Sequence, residues 1–386
     1  MIFLTIGLLL IYPILTTPII LIGSIVDKKN RIIYMILLAF NIALISMQID
    51  PSGYELDLGV YFSTMDIIKQ MKWETFIQTY ISQKEFLTNL LYYIFANMEN
   101  YNLWTFTVTF ICYSTMFYII TDYSRIKEIS NKEYIIMMIL LIVFYNNIFA
   151  ITGLRNSLAI IIYILALYEE YFKENKKIIY KILYIIPCFI HMSMALGVVL
   201  RLAMIPYKRP NKKYIIAIIL IYALSPAIVL NIASKLNGTA IFSDLYAKTA
   251  TYSGSGANIL NNMYNLIKII AVIDLFAIFE KIYKGENTKV KDMTELICIF
   301  TLLSSNYSLI RDRWYDICII LLILCFIGRA KEYFNIKGIY KILLGITAVF
   351  MIVFQSSTLK KLNYAGLIKN SYKTTIVEFF GKETNG

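Results

Sequence analysis

Two side chains in this sequence are costly where they stand, and that cost is the first guide to chemistry. Arg155 lies in Gly153-Leu-Arg-Asn-Ser-Leu-Ala159 at the mouth of an apolar helix. His191, the one histidine in 386 residues, lies in Pro187-Cys-Phe-Ile-His-Met-Ser193. A guanidinium or an imidazole in hydrocarbon-like sequence marks a functional site by default. Arg155 offers a planar fork for a phosphate, and the N–H groups at a helix start favour the same anion. The alternative is an arginine snorkelling to a lipid interface. The unperturbed pKa of His191 suits proton transfer near neutral pH. The alternative is a buried ring bonded to a carbonyl that Pro187 frees.

Other polar groups extend the set. Arg311 and Arg313 flank Asp312 at the edge of an apolar run, a pairing that suits a diphosphate or, alternatively, a local ion pair with headgroup contacts. Arg313, beside Trp314 and Tyr315, ranks first of the two. Glu85 opens an otherwise uncharged stretch, so it is either a helix cap favoured by the dipole or a carboxylate facing a cavity. Asp50, Tyr54, Asp57 and Tyr61 crowd the start of one loop, where carboxylates and rings could hold sugar hydroxyls and ring faces, or simply be solvated. Asp274 could pair with Lys268, at a poor helical spacing, and suggests no role. His, Cys, Asp and Glu do not recur at metal-ligand spacing, so neither a metal nor a cofactor is expected. The sequence has no Gly-rich nucleotide loop. The five cysteines lie inside apolar runs and read as buried free thiols.

The elements that must position these groups are membrane spans. Hydrophobic residues make up 59% of the chain and charged residues 16%, which describes an all-α polytopic membrane protein. The net charge of +12 comes from lysines and arginines scattered in short loops, as the positive-inside rule places them, and does not point to nucleic acid. Apolar runs predict spans at 2–26, 31–48, 102–121, 133–150, 156–173, 213–235, 259–281, 293–310, 314–329 and 336–354. The first run lacks the flanks of a cleaved signal peptide and reads as a retained helix. Residues 86–98 are too short to cross and read as an amphipathic or re-entrant helix. With no break between folding units, 1–386 reads as one membrane domain, with loops at 49–101 and 236–257 and a tail at 355–386.

Loop charge sets the sidedness. The basic turn Asp27–Arg31 belongs inside, which puts 49–101 and, by alternation, Arg155 outside. Lys208-Arg-Pro-Asn-Lys-Lys213 also belongs inside, which requires 178–205 to enter and return without crossing. A re-entrant hairpin does this, its bend marked by Pro187, His191 and Ser193. Two arms reaching roughly 20 Å stop short of a roughly 30 Å core, leaving His191 in a recess below the outer face. Arg155, His191, Arg311 and Arg313 are then all expected on the external side, giving about 10–12 helices in all.

The order of these pieces resembles the EpsG/Wzy-type exopolysaccharide (capsule or O-antigen) polymerases. The match is carried by Asp50–Tyr61, Glu85-Phe-Leu, Gly153-Leu-Arg155-Asn-Ser-Leu-Ala159, His191-Met-Ser193 and Arg313-Trp-Tyr315. The resemblance implies a GT-C-like fold in a bacterial plasma membrane and a metal-independent glycosyl transfer on its outer face. It also implies undecaprenyl-diphosphate oligosaccharides as donor and acceptor, and admits a chain-length regulator protein as a partner. On that reading Arg155, Arg313 and Arg311 neutralise the leaving diphosphate. His191, or failing it Glu85, takes the acceptor proton, and Asp50, Tyr54, Asp57 and Tyr61 hold sugar. Three rivals stay open. A flippase for the same lipid needs polar residues through the inner half-spans, where only Lys268, Asp274 and Arg201 stand. A membrane O-acyltransferase needs its histidine reachable from the cytoplasm. A non-catalytic assembly subunit needs neither.

Overall fold

The computed structural model describes residues 2–49, 57–98, 100–204, 259–304, 308–361 and 363–381. These are helical, with no strand among them. The helices in chain order are α1 (Ile2–Leu9), α2 (Thr17–Val26), α3 (Arg31–Ser46), α4 (Asp57–Lys69), α5 (Trp73–Tyr80), α6 (Phe86–Ala96), α7 (Asn102–Ile126), α8 (Asn131–Phe144), α9 (Asn147–Thr152) and α10 (Leu154–Leu167). Then come α11 (Ile178–Ile182), α12 (Ile186–Ile190), α13 (Ala195–Ala203), α14 (Ile259–Ile282), α15 (Lys289–Leu303), α16 (Ser308–Gly328), α17 (Ala330–Phe334), α18 (Gly338–Lys361), α19 (Tyr364–Ser371) and α20 (Ile376–Gly381). The expected span 213–235 and the loop 236–257 lie outside the described residues.

By length and composition, α7 and residues 338–360 of α18 are long and apolar enough to cross a membrane. At 1.5 Å per residue, the 25 residues of α7 reach about 37 Å, more than a bilayer core needs. On α18, Ile339, Ile342, Ile346, Val349 and Val353 form an exposed apolar stripe at helical spacing. Thr347 is buried, and its hydroxyl donates to Asp274 Oδ2 at 2.5 Å. Apolar outside and polar inside suits hydrocarbon, not water.

Packing divides the chain into two compact units. The first comprises Met1–Ile142, Asn146–Val198 and Val353–Gly386; the second comprises Val143–Tyr145 and Val199–Ile352. In the first unit α3 packs along α7, and α10 packs on α7 and α12. The stretch after 355, read as a tail, carries the end of α18, then α19 and α20. Phe379 of α20 is buried against Ile14, Leu44, Ile45 and Met47. A closed polar network ties α10 to α7. Buried Asp122 accepts from Tyr168 Oη at 2.8 Å and Arg125 Nη2 at 2.6 Å, with Lys173 Nζ at 3.4 Å. In the second unit α16 packs against both α14 and α15. Cys298 Sγ and Cys318 Sγ approach to 3.3 Å there as free thiols.

Two expected spans are broken. The run 2–26 ends its first helix at Leu9 and restarts at Thr17, because Pro13 has no N–H to continue the ladder. The Pro13 carbonyl accepts from the Thr16 N–H and Oγ1 and, across the unit, from Asn41 Nδ2 at 2.8 Å. The run 133–150 breaks after Phe144, where Asn147 Nδ2 donates back to the Ile142 carbonyl at 2.7 Å. At the expected hairpin, Pro187 is not the bend. It occupies the first turn of α12, where a missing N–H costs nothing. The backbone turns at His191, which is extended (φ −149°, ψ 116°) between α12 and the short turn leading into α13. Behind it, Gly197 lets α13 approach α10 closely: an added Cβ would lie 2.6 Å from the Tyr163 ring.

Candidate functional site

The first unit gathers Glu85, Arg155, His191, Asp57 and Tyr61 into one cluster, although Glu85 and Arg155 are seventy residues apart. Each is set in place by a local feature. Glu85 is the residue before α6, but its side chain makes no capping bond to that helix. The capping alternative therefore fails. The carboxylate instead reaches across to Arg155, with Oε2 at 2.8 Å from Nη1. Its other oxygen, Oε1, accepts from the Met192 backbone N–H at 3.3 Å and lies 3.8 Å from His191 Nδ1. One carboxylate thus faces a guanidinium, a main-chain donor and an imidazole.

Thr88 holds the two halves of this arrangement together. It is buried on α6 and donates to the Ile190 carbonyl at 2.7 Å. That carbonyl is left over where α12 stops, so the bond satisfies the break and fixes α6 beside His191. The ring of His191 is fixed on its Nδ1 side. Its Nδ1 receives the Ser193 backbone N–H at 3.2 Å and lies 2.9 Å from Ser193 Oγ. A backbone N–H can only donate, so Nδ1 is the acceptor and the proton of the neutral ring sits on Nε2. The basic lone pair therefore points towards Ser193 and Glu85.

Beneath Arg155 lies a floor of aromatic residues. The guanidinium carbon stands 5.1 Å from the centroid of the Tyr61 ring on α4. Tyr61 is 1% exposed, and its hydroxyl donates to Asp57 Oδ2 at 3.0 Å. The Tyr92 ring lies 5.9 Å from that of Tyr61 and packs edge-on to Trp104. Burial pushes both tyrosine hydroxyls above their usual range; for Tyr61 the Asp57 charge adds to this, and in both cases Arg155 opposes it. They stay neutral hydroxyl groups. Tyr92 Oη and Arg155 Nε are buried with no hydrogen-bond partner among the described residues.

The second unit holds the remaining arginines. Arg311 is buried, and its Nε donates to Asp312 Oδ1 at 3.1 Å. Lys268 Nζ lies 3.2 Å from the same oxygen, 4.4 Å from the Tyr264 ring centroid and 5.6 Å from that of Tyr315. Lys268 therefore pairs with Asp312, while Asp274 takes Thr347. Arg313 is half-buried on α16, between Asp312 and the buried Trp314. Asp50 and Tyr54 lie outside the described residues. Among the described residues no group of three His, Cys, Asp or Glu side chains could hold a metal ion.

Sequence reasoning missed Thr88, Tyr92 and the Met192 N–H. Thr88 bonds a main-chain carbonyl and Met192 acts through its main-chain N–H, atoms that leave no mark on residue type. Tyr92 is one of 31 tyrosines, and its type alone does not single it out.

The EpsG family profile matches residues 31–369, nearly the whole chain. No curated protein and no solved structure matches it.

Proposed function

Because the chain belongs to the EpsG family of exopolysaccharide polymerase-type membrane proteins, we infer that it joins oligosaccharide units carried on a polyprenyl diphosphate, undecaprenyl diphosphate in a bacterium. The reaction forms a bond between an acceptor sugar hydroxyl and the anomeric carbon of the donor. The bond from that carbon to the diphosphate breaks, and its electron pair leaves with the lipid diphosphate. The hydroxyl proton passes to a base. Cations at the developing charge lower the barrier, and Arg155 is placed for this role. Arg313 and Arg311 keep the diphosphate-binding assignment. The reaction is read as taking place on the outer face of the plasma membrane, where loop charge puts Arg155.

The observation that carries the reading is the convergence of Arg155, Glu85 and His191 on a few ångströms of space. In an apolar bundle an ion pair beside an imidazole does not improve stability over packed hydrocarbon, so a chemical use is its best explanation. Local geometry reverses the expected ranking of the two bases. The lone pair of His191 already holds the Ser193 N–H, whereas Glu85 carries a carboxylate on a half-exposed side chain. Glu85 is therefore the base and His191 the group that shapes its surroundings. Asp57 and Tyr61 support Arg155 from below; Asp50 and Tyr54 keep the sugar-binding assignment.

The test is the polymer ladder made by cells carrying Arg155→Ala. The expected result is loss of long chains, with single repeat units still on the lipid. Full-length polymer from this variant overturns the reading.

A further inference from the structure

We propose that the notch formed by Arg155 Nη1, the Met192 backbone N–H and His191 is a phosphate site that the chain fills with its own Glu85 carboxylate, and that a substrate phosphate displaces this carboxylate and so releases the base. The inference rests on the polymerase reading above and adds to it an order of events.

Three observations support it. First, the donors that surround the carboxylate are those that bind phosphate oxygens: a guanidinium at 2.8 Å and a main-chain N–H at 3.3 Å. Second, the carboxylate leaves the guanidinium incompletely used, since Arg155 Nε is buried without a hydrogen-bond partner among the described residues. A phosphoryl group carries more oxygens than a carboxylate and can take both edges of the fork. Third, the pair is accessible to exchange. The side chains of Arg155 and Glu85 are 29% and 25% exposed, so the pair is not sealed from solvent.

Exchange has a chemical consequence. While Glu85 Oε2 is bound to Arg155 and Oε1 to the Met192 N–H, both carboxylate oxygens are occupied and neither is turned to an acceptor hydroxyl. Once phosphate oxygens occupy Arg155 and the Met192 N–H, Glu85 faces a dianion and no longer a cation. The acceptor hydroxyl gives its proton to Glu85 as its oxygen bonds to the anomeric carbon, and the lipid diphosphate leaves with the electron pair of the broken bond. The base is thus armed only when a donor diphosphate is seated.

Binding of inorganic pyrophosphate to the full-length chain in detergent tests this, using wild type, Glu85→Gln and Arg155→Met. Gln keeps the shape of the side chain but not the charge that competes for Arg155. The expected result is pyrophosphate binding about tenfold tighter to Glu85→Gln and at least tenfold weaker to Arg155→Met. Polymer formation by Glu85→Gln should fall even as binding rises, a pair of opposite changes that a purely structural residue does not give. Glu85→Ala provides the same comparison if the Gln variant does not fold. If Arg155→Met loses binding while both Glu85 variants bind no tighter than wild type, the exchange is wrong and the polymerase reading stands. If Arg155→Met binds as well as wild type, the diphosphate assignment itself fails.

Discussion

Each of the two units contains a cation paired with a carboxylate above an aromatic ring. In the first unit Arg155 meets Glu85 over Tyr61; in the second Lys268 meets Asp312 over Tyr264. The parts are alike and the burial is not. The Arg155 and Glu85 side chains are 29% and 25% exposed, whereas that of Lys268 is 2% exposed behind an Asp312 that is 28% exposed. Burial decides what each pair can do. A sealed ammonium cannot give up its counter-charge without a large desolvation penalty, so the Lys268 pair is a fixed strut that holds α14 to α16. A half-open guanidinium can trade one anion for another at small cost. The same chemistry therefore serves as scaffold in one place and as a binding site in the other.

Six substitutions test this contrast. The largest effect is expected from Arg155→Ala. Removing a group that stabilises leaving charge costs about 10²–10³-fold in turnover, roughly 3–4 kcal/mol on the barrier, measured as repeat-unit transfer in vitro. Next, Asp312→Ala should cost roughly 3 kcal/mol of stability by exposing the Lys268 ammonium to an uncompensated interior, whereas Glu85→Ala should cost less than about 1 kcal/mol. Thermal unfolding of the two variants in one detergent checks the difference, and equal shifts would erase the contrast.

Gly197→Ala forces a Cβ towards the Tyr163 ring and should cost about 1–3 kcal/mol. Because Gly197 follows the His191 turn, this variant should also lower turnover, whereas an equal clash far from the turn should affect stability alone. The smallest effect belongs to the floor under Arg155. Tyr61→Phe keeps the ring and loses the bond to Asp57, about 1 kcal/mol. Tyr61→Leu also loses the cation–ring contact, about another 1 kcal/mol, and should weaken pyrophosphate binding more than Phe does.

Much of the helical plan was legible from hydropathy. The run at 259–281 is α14, and the run at 102–121 is α7 extended by five residues into polar sequence. An uninterrupted apolar run has no other economical way to satisfy its backbone in lipid. The breaks were less legible. Pro13 was in view, but the bond its carbonyl accepts from Asn41, 28 residues on, was not. The break after Phe144 depends on an asparagine at the start of α9 bonding back to α8. At the site, Arg155, His191 and Glu85 were visible because polar groups stand out in apolar sequence. The partner of Glu85 was not visible: its position before a helix left a cap and a cavity-facing carboxylate both open, and only tertiary structure shows it turned to Arg155. Tyr61 suggested a sugar platform, yet its ring lies under a guanidinium and out of solvent.

The account's central claim is tested most directly by an experimental structure of the full chain with a polyprenyl diphosphate bound. The account predicts phosphate oxygens at about 3 Å from Arg155 Nη1 and from the Met192 nitrogen, with the Glu85 carboxylate moved off the guanidinium. A diphosphate bound elsewhere, with the bond between Arg155 and Glu85 intact, would contradict it.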